Sequence, residues 1–183
     1  MILQNEKIIF IHPPRCSGTS IEQSMLNKLV PDLEKHLNAK QIKNIVKDEW
    51  DSYFKFSIIR NPWDRIISMY CSRYYALQGV GKYAGRSLKY FLNNFTLPKW
   101  EHGLQCSDYI NLPIDFIIRF ENRQQDIEKL NSKFNLFIDS NIVARKVKGR
   151  NADYKIYYDD ETIEIVNKKF NKDINQFNYK YDG

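Results

Sequence analysis

Three short, unbroken apolar runs punctuate the chain, and each is followed by residues whose apolar positions recur at helical spacing. The first run, Ile8-Ile9-Phe10-Ile11, has the length of a buried strand. The second, Tyr53 to Ile59, is rich in aromatic and β-branched residues and predicts another buried strand. Phe116 to Phe120 predicts a third. After the first run come Ile21, Met25, Leu26 and Leu29; after the second, Trp63, Ile66, Ile67, Tyr70 and Tyr74; after the third, Ile127, Leu130 and Phe134 within Glu121 to Phe134. Each set forms one stripe of an amphipathic helix. Further helices are predicted over Ala39 to Lys47, over Arg86 to Phe95 and after Asp159-Asp160-Glu161, whose acids suit a first turn. Val30-Pro31-Asp32 breaks the first helix, and Gly79, Gly81 and Gly85 mark a flexible connection. Leu97 to Leu112 and Ile142 to Asp153 read as loops, and the aromatic tail Phe177 to Tyr181 is expected to pack back on the domain. Strands alternating with helices predict an α/β fold: one domain over residues 1–183, with a central parallel sheet flanked by helices.

The junctions between runs carry the chemistry. Pro13 and Pro14 stop the first strand, because proline cannot donate to a ladder. The small residues Ser17, Gly18, Thr19 and Ser20 follow, and Thr19 and Glu22 have capping-box spacing. A strand, a small-residue loop and a helix start form a cradle for phosphate or sulfate. Backbone N–H groups and the helix dipole point at the anion, and Arg15 adds a positive charge beside it. The second junction is Arg60-Asn61-Pro62. Asparagine is a good N-cap and proline suits the first turn. Arg60 then sits at the strand end and Ser68 about two turns into the helix, a guanidinium and a hydroxyl able to grip a phosphate. No Gly-Lys-Ser/Thr occurs, so a Walker A loop is excluded and an ATP or GTP phosphotransferase is a weak reading.

Charge narrows the partners. The net charge of +6 suits an anionic ligand and also non-specific adhesion to nucleic acid. The aromatic residues fall at core spacing and no DNA- or RNA-binding motif appears, which argues against a nucleic-acid module. No apolar run approaches the ~20 residues of a membrane span. Polar Met1 to Lys7 leads straight into a strand, unlike a signal peptide. Cys16, Cys71 and Cys106 are odd in number and widely spaced, so no zinc site or disulfide framework is expected, and a cytoplasmic location fits. Cys16 reads as a small packing residue in the loop.

Both junctions resemble those of sulfotransferases that use 3′-phosphoadenosine 5′-phosphosulfate (PAPS). The 5′-phosphosulfate loop of these enzymes reads roughly Pro-Lys-x-Gly-Gly-Thr-Ser after a strand. Pro14-Arg15-Cys16-Ser17-Gly18-Thr19-Ser20 is similar, with Arg15 in place of lysine and Ser17 in place of the first glycine. Arg60-Asn61-Pro62-Trp63-Asp64-Arg65, followed by Ser68, resembles the family's 3′-phosphate motif. Weaker likeness continues through Leu104 to Tyr109, Asp115 to Asn122 and Asp153 to Asp159, so that it covers most of the chain and points to the compact, carbohydrate-sulfotransferase-like members. The resemblance implies a P-loop-like domain, PAPS as donor, 3′-phosphoadenosine 5′-phosphate (PAP) as by-product, and no metal. It makes Arg15 to Ser20, Arg60 and Ser68 donor ligands, and Lys148 or Arg150 in the basic run a late cover for the 3′-phosphate.

In-line transfer to a hydroxyl or amine also needs a base. The family places a histidine or glutamate after the loop helix, where this chain has His36; an unperturbed imidazole suits proton transfer near neutral pH. His102 is the second candidate, His12 reads as a buried hydrogen-bonding residue, and Glu22 as the capping-box acid. Arg65 reads as the structural partner of Asp64 or another carboxylate. The acceptor (sugar, polysaccharide, peptide tyrosine or small metabolite) and the oligomeric state are not expressed in these motifs. An inactive PAPS- or PAP-binding protein is the remaining alternative.

Overall fold

The computed structural model describes residues 1–26, 36–72, 83–96, 105–144, 147 and 149–182. In chain order the elements are β1 (Ile2–Leu3), β2 (Ile8–Ile11), α1 (Gly18–Leu26), α2 (Ala39–Val46), β3 (Phe54–Ile59), α3 (Pro62–Tyr70), α4 (Leu88–Asn94), α5 (Cys106–Tyr109), β4 (Phe116–Arg119), α6 (Arg123–Phe134), α7 (Asp160–Lys169) and α8 (Asn171–Phe177). Short 3-10 turns lie at Lys47–Ser52, Phe120–Asn122 and Tyr154–Tyr157. The chain divides into two compact units, Met1–Arg60 with Pro98–Arg145, and Asn61–Leu97 with Lys146–Gly183.

The first unit holds the whole sheet, in the order β1-β2-β3-β4. β2, β3 and β4 are parallel, with Phe10 opposite Phe56 and Phe56 opposite Phe116. All four residues of β2 are buried, as an apolar run between two neighbours requires. Phe10 and Phe56 stack at 4.8 Å, and both are fully buried, each side chain contributing about 1.5–3 kcal/mol by its removal from water. Ser57 is the polar exception in β3: its hydroxyl donates to the Ile11 carbonyl at 2.8 Å, so its burial leaves no donor unmet. On α6, Ile127 and Leu130 are fully buried, and Phe134 stacks on Phe54 at 3.7 Å.

The predicted α/β arrangement, a mostly parallel sheet with flanking helices, is therefore present, with small corrections. β1 pairs antiparallel with β2 and was not expected, because two residues carry no periodicity. β4 ends at Arg119, and Phe120 turns out of the sheet into a 3-10 turn. The Asp126 carboxylate accepts the Arg119 N–H at 2.9 Å at this bend. The expected loop from Leu97 to Leu112 contains α5; residues 97–104 lie outside the described set, as do Leu29 to Pro31, Tyr74, Gly79 and Gly81.

The second unit is helical. Every residue of α3 is buried, so the predicted stripe of Trp63, Ile66, Ile67 and Tyr70 is only part of its packed surface. The Tyr158 hydroxyl donates to the Trp63 carbonyl at 2.8 Å, and burial pushes that phenol well above its ordinary pKa. Tyr181 meets Trp63 edge-on at 5.6 Å and Tyr158 at 5.8 Å, which is how the aromatic tail packs back. α8 was not predicted, because its polar sequence offers only Ile174 and Phe177 as apolar anchors.

Candidate active site

β2 delivers His12 to the edge of a tight loop. Within it, Arg15 has φ of 65° and Ser17 φ of 70°, both in the left-handed region that costs a side-chain-bearing residue energy. Burial alternates along the loop: Arg15, Ser17 and Thr19 are half-buried, while Cys16, Gly18 and Ser20 are buried. Arg15, Ser17 and Thr19 are thus the side chains open to an anion, and Cys16 and Gly18 have only backbone N–H groups to offer. The Ser20 hydroxyl accepts from the Ala144 N–H at 3.0 Å and from the Ser17 hydroxyl at 3.2 Å, a role that holds the loop.

α1 begins at Gly18, one residue before the predicted cap. Thr19 therefore lies inside the first turn, and Glu22 is not a capping-box acid. Its fully buried carboxylate accepts from His12 Nδ1 at 2.8 Å. A Cβ at Gly18 would stand 2.0 Å from His12 Cδ2, so glycine is required there by close approach of the imidazole. His12 is 3% exposed, the buried hydrogen-bonding residue that was expected.

His36 lies beside the same imidazole, with ring centroids 4.6 Å apart and the planes tilted by 56°. Its Nδ1 donates to the His12 carbonyl at 2.8 Å, which makes Nε2 the nitrogen able to accept a proton. α2 begins three residues after His36, where Asn38 accepts from the Gln41 N–H at 3.0 Å in a complete capping box.

Arg60 follows β3 directly. Its Nη1 donates to the Arg15 carbonyl at 3.2 Å, across 45 residues of chain, and its guanidinium lies 3.9 Å over the Phe120 ring. Phe120 leaves the sheet at the point where it can form this platform. Its role had no sequence signal, because an aromatic residue ending an apolar run is read as core.

In the second unit, the Asn61 side chain caps α3, accepting from the N–H groups of Trp63 at 3.0 Å and Asp64 at 3.3 Å, with Pro62 at the first position as predicted. Asp64, buried on that helix, pairs with the Arg150 guanidinium. Arg150 is thus a partner of Asp64, while Arg65 is fully buried. Asp64 and Ser68 are four residues apart and share a helix face, so this pair holds Arg150 one turn from Ser68. Lys148 and His102 lie outside the described residues.

A parallel sheet whose strand ends feed a small-residue loop and a guanidinium is the α/β arrangement of a P-loop-type fold. The sequence model of the sulfotransferase family matches residues 1–112, more than half of the chain, and the protein belongs to that family. The matched stretch contains the loop, His36, Arg60 and Ser68 and stops short of Arg150. No curated protein and no solved structure matches the chain. Among the described residues no cluster of His, Cys, Asp and Glu could hold a metal ion, and no helix is long and apolar enough to cross a membrane.

Proposed function

We propose that this sulfotransferase takes its sulfuryl group from PAPS and passes it, in line, to a hydroxyl or amine of a sugar, polysaccharide or small molecule, leaving PAP. The observation that carries the reading is the 3.2 Å hydrogen bond from Arg60 to the Arg15 carbonyl. It joins the two motifs that the resemblance assigns to opposite phosphates of one nucleotide. The loop fits an anion: the first N–H groups of α1 lack intrahelical carbonyls, and Arg15, Ser17 and Thr19 are its half-buried side chains.

In this reading PAPS supplies the activated sulfuryl group and a phosphate leaving group. Arg15 and the loop N–H groups of Cys16, Ser17, Gly18 and Thr19 oppose the negative charge that grows as transfer proceeds. Ser20 keeps the loop in shape. Arg60 and Ser68 read the 3′-phosphate, and Arg150, with Lys148, covers it. His36 accepts the acceptor's proton at Nε2, held in the correct tautomer by the His12 carbonyl. The chain works as one domain in this scheme, and its three free cysteines suit a reducing compartment such as the cytoplasm. A screen of hydroxyl and amine acceptors with sulfur-labelled PAPS tests the proposal. Transfer of label to an acceptor class supports it; transfer from labelled ATP and none from PAPS overturns it.

A further inference from the structure

Cys16 Sγ lies 3.5 Å from Cys106 Sγ, although 90 residues separate them in sequence. Both side chains are fully buried and both are free thiols. A buried cysteine alone is an inert packing residue. Two sulfurs already in contact are different, because a disulfide needs only their approach to about 2.05 Å. Cys16 also sits in the middle of the anion-binding loop, between Arg15 and Ser17, which both have left-handed backbone. We infer that Cys16 and Cys106 are an oxidisable dithiol, and that their disulfide disables donor binding by the loop.

The chemistry needs a two-electron oxidant of the small hydroperoxide class. One thiol loses its proton, and the thiolate attacks a peroxide oxygen, breaking the O–O bond and giving a sulfenic acid and hydroxide. The second thiol attacks that sulfur, the S–S bond forms, and the sulfenic oxygen leaves as water. The hydroxide takes up the first proton as a second water, so two thiols and one hydrogen peroxide yield one disulfide and two waters.

The link between oxidation and binding is geometric. Drawing the sulfurs together by about 1.5 Å moves the backbone of Cys16 or of α5. Cys16 has little room to move without disturbing its neighbours. Arg15 and Ser17 occupy a narrow conformational well for residues that carry a Cβ, and the Arg15 carbonyl is engaged by Arg60. A shift there misaligns the N–H groups that receive the anion.

The inference rests on the donor site proposed above, and its test separates the two. Wild-type protein is treated with hydrogen peroxide, with and without later reduction by dithiothreitol. Peptide mapping without reduction reads the cross-link, and calorimetry reads PAP affinity. The expected result is a Cys16–Cys106 cross-linked peptide, PAP affinity reduced at least tenfold, and recovery on reduction. Cys106→Ser, with Cys106→Ala as a second variant, should keep PAP affinity through the treatment, and Cys71→Ser should respond like wild type. Absence of the cross-linked peptide, or its presence with unchanged affinity, overturns the inference. Failure of reduced wild type to bind PAP overturns the donor assignment and with it the effect on binding, while the peptide map still decides the dithiol.

Discussion

The Nδ1–H of His36 is bonded to the main-chain carbonyl of His12, 2.8 Å away. That bond places the ring's basic lone pair on Nε2, and it ties a residue beyond the loop helix to the residue that follows β2. His36→Ala should therefore lower turnover by about 10²–10⁴-fold, the usual worth of a general base, with PAP binding nearly intact. Turnover of the wild type should also fall as acid protonates the base, and this limb should vanish in the variant. Steady-state kinetics across pH beside PAP titration checks both. Full turnover in His36→Ala would move the base elsewhere, with His102 the next histidine to test.

Glu22 gives the second prediction. Its carboxylate is the acceptor for His12 Nδ1 in a fully buried setting. Glu22→Ala leaves that donor without its carboxylate and should cost about 1–3 kcal/mol of stability in urea unfolding. Glu22→Gln keeps an acceptor oxygen and should recover a large part of the loss. Equal losses in the two variants would mean that the side chain acts by volume alone.

Neighbouring loop positions should respond very differently. Gly18→Ala drives a methyl group into the His12 ring and should be strongly destabilising. Ser17→Gly relieves a left-handed serine at φ of 70° while loosening the unfolded chain, so its net effect should stay within about 1 kcal/mol of wild type. Thermal unfolding of both variants measures the contrast, and similar losses in each would contradict the loop geometry.

Asp64 should act on the donor through Arg150. If the pair holds Arg150 near Ser68, Asp64→Ala should weaken PAP binding about as much as Arg150→Ala does. The double variant should add little, since residues acting through one contact are not additive. Calorimetric PAP titration of the two single variants and the double variant checks this; additive losses would show that Arg150 does not depend on Asp64.

Much of this was legible in the chain because periodicity and punctuation report local structure. The apolar runs at Ile8, Phe54 and Phe116 are the three parallel strands, and Asn61-Pro62 caps α3 as such a pair should. Contacts across the fold were another matter. Thr19 and Glu22 have capping spacing, yet Glu22 is taken by His12, because a buried imidazole donor outcompetes a local cap. Arg65 reads as the partner of Asp64 or another carboxylate, and the fold adds Arg150, 86 residues away, as a partner of Asp64. Phe120 under Arg60, and Cys106 against Cys16, are likewise pairings that only the fold creates.

The measurement that tests the central claim most directly is the melting temperature with PAP, with AMP, and with neither, in wild type and in Arg60→Ala. A ligand that binds only the folded state stabilises it by about 2.7 kcal/mol at a hundred times its Kd, a rise of roughly 5–10 °C for a chain of this size. PAP should raise the wild-type Tm by that order and AMP by much less, because only PAP carries the 3′-phosphate that Arg60 and Ser68 are proposed to read. Arg60→Ala should lose most of the difference. Equal shifts from PAP and AMP in the wild type would contradict the account.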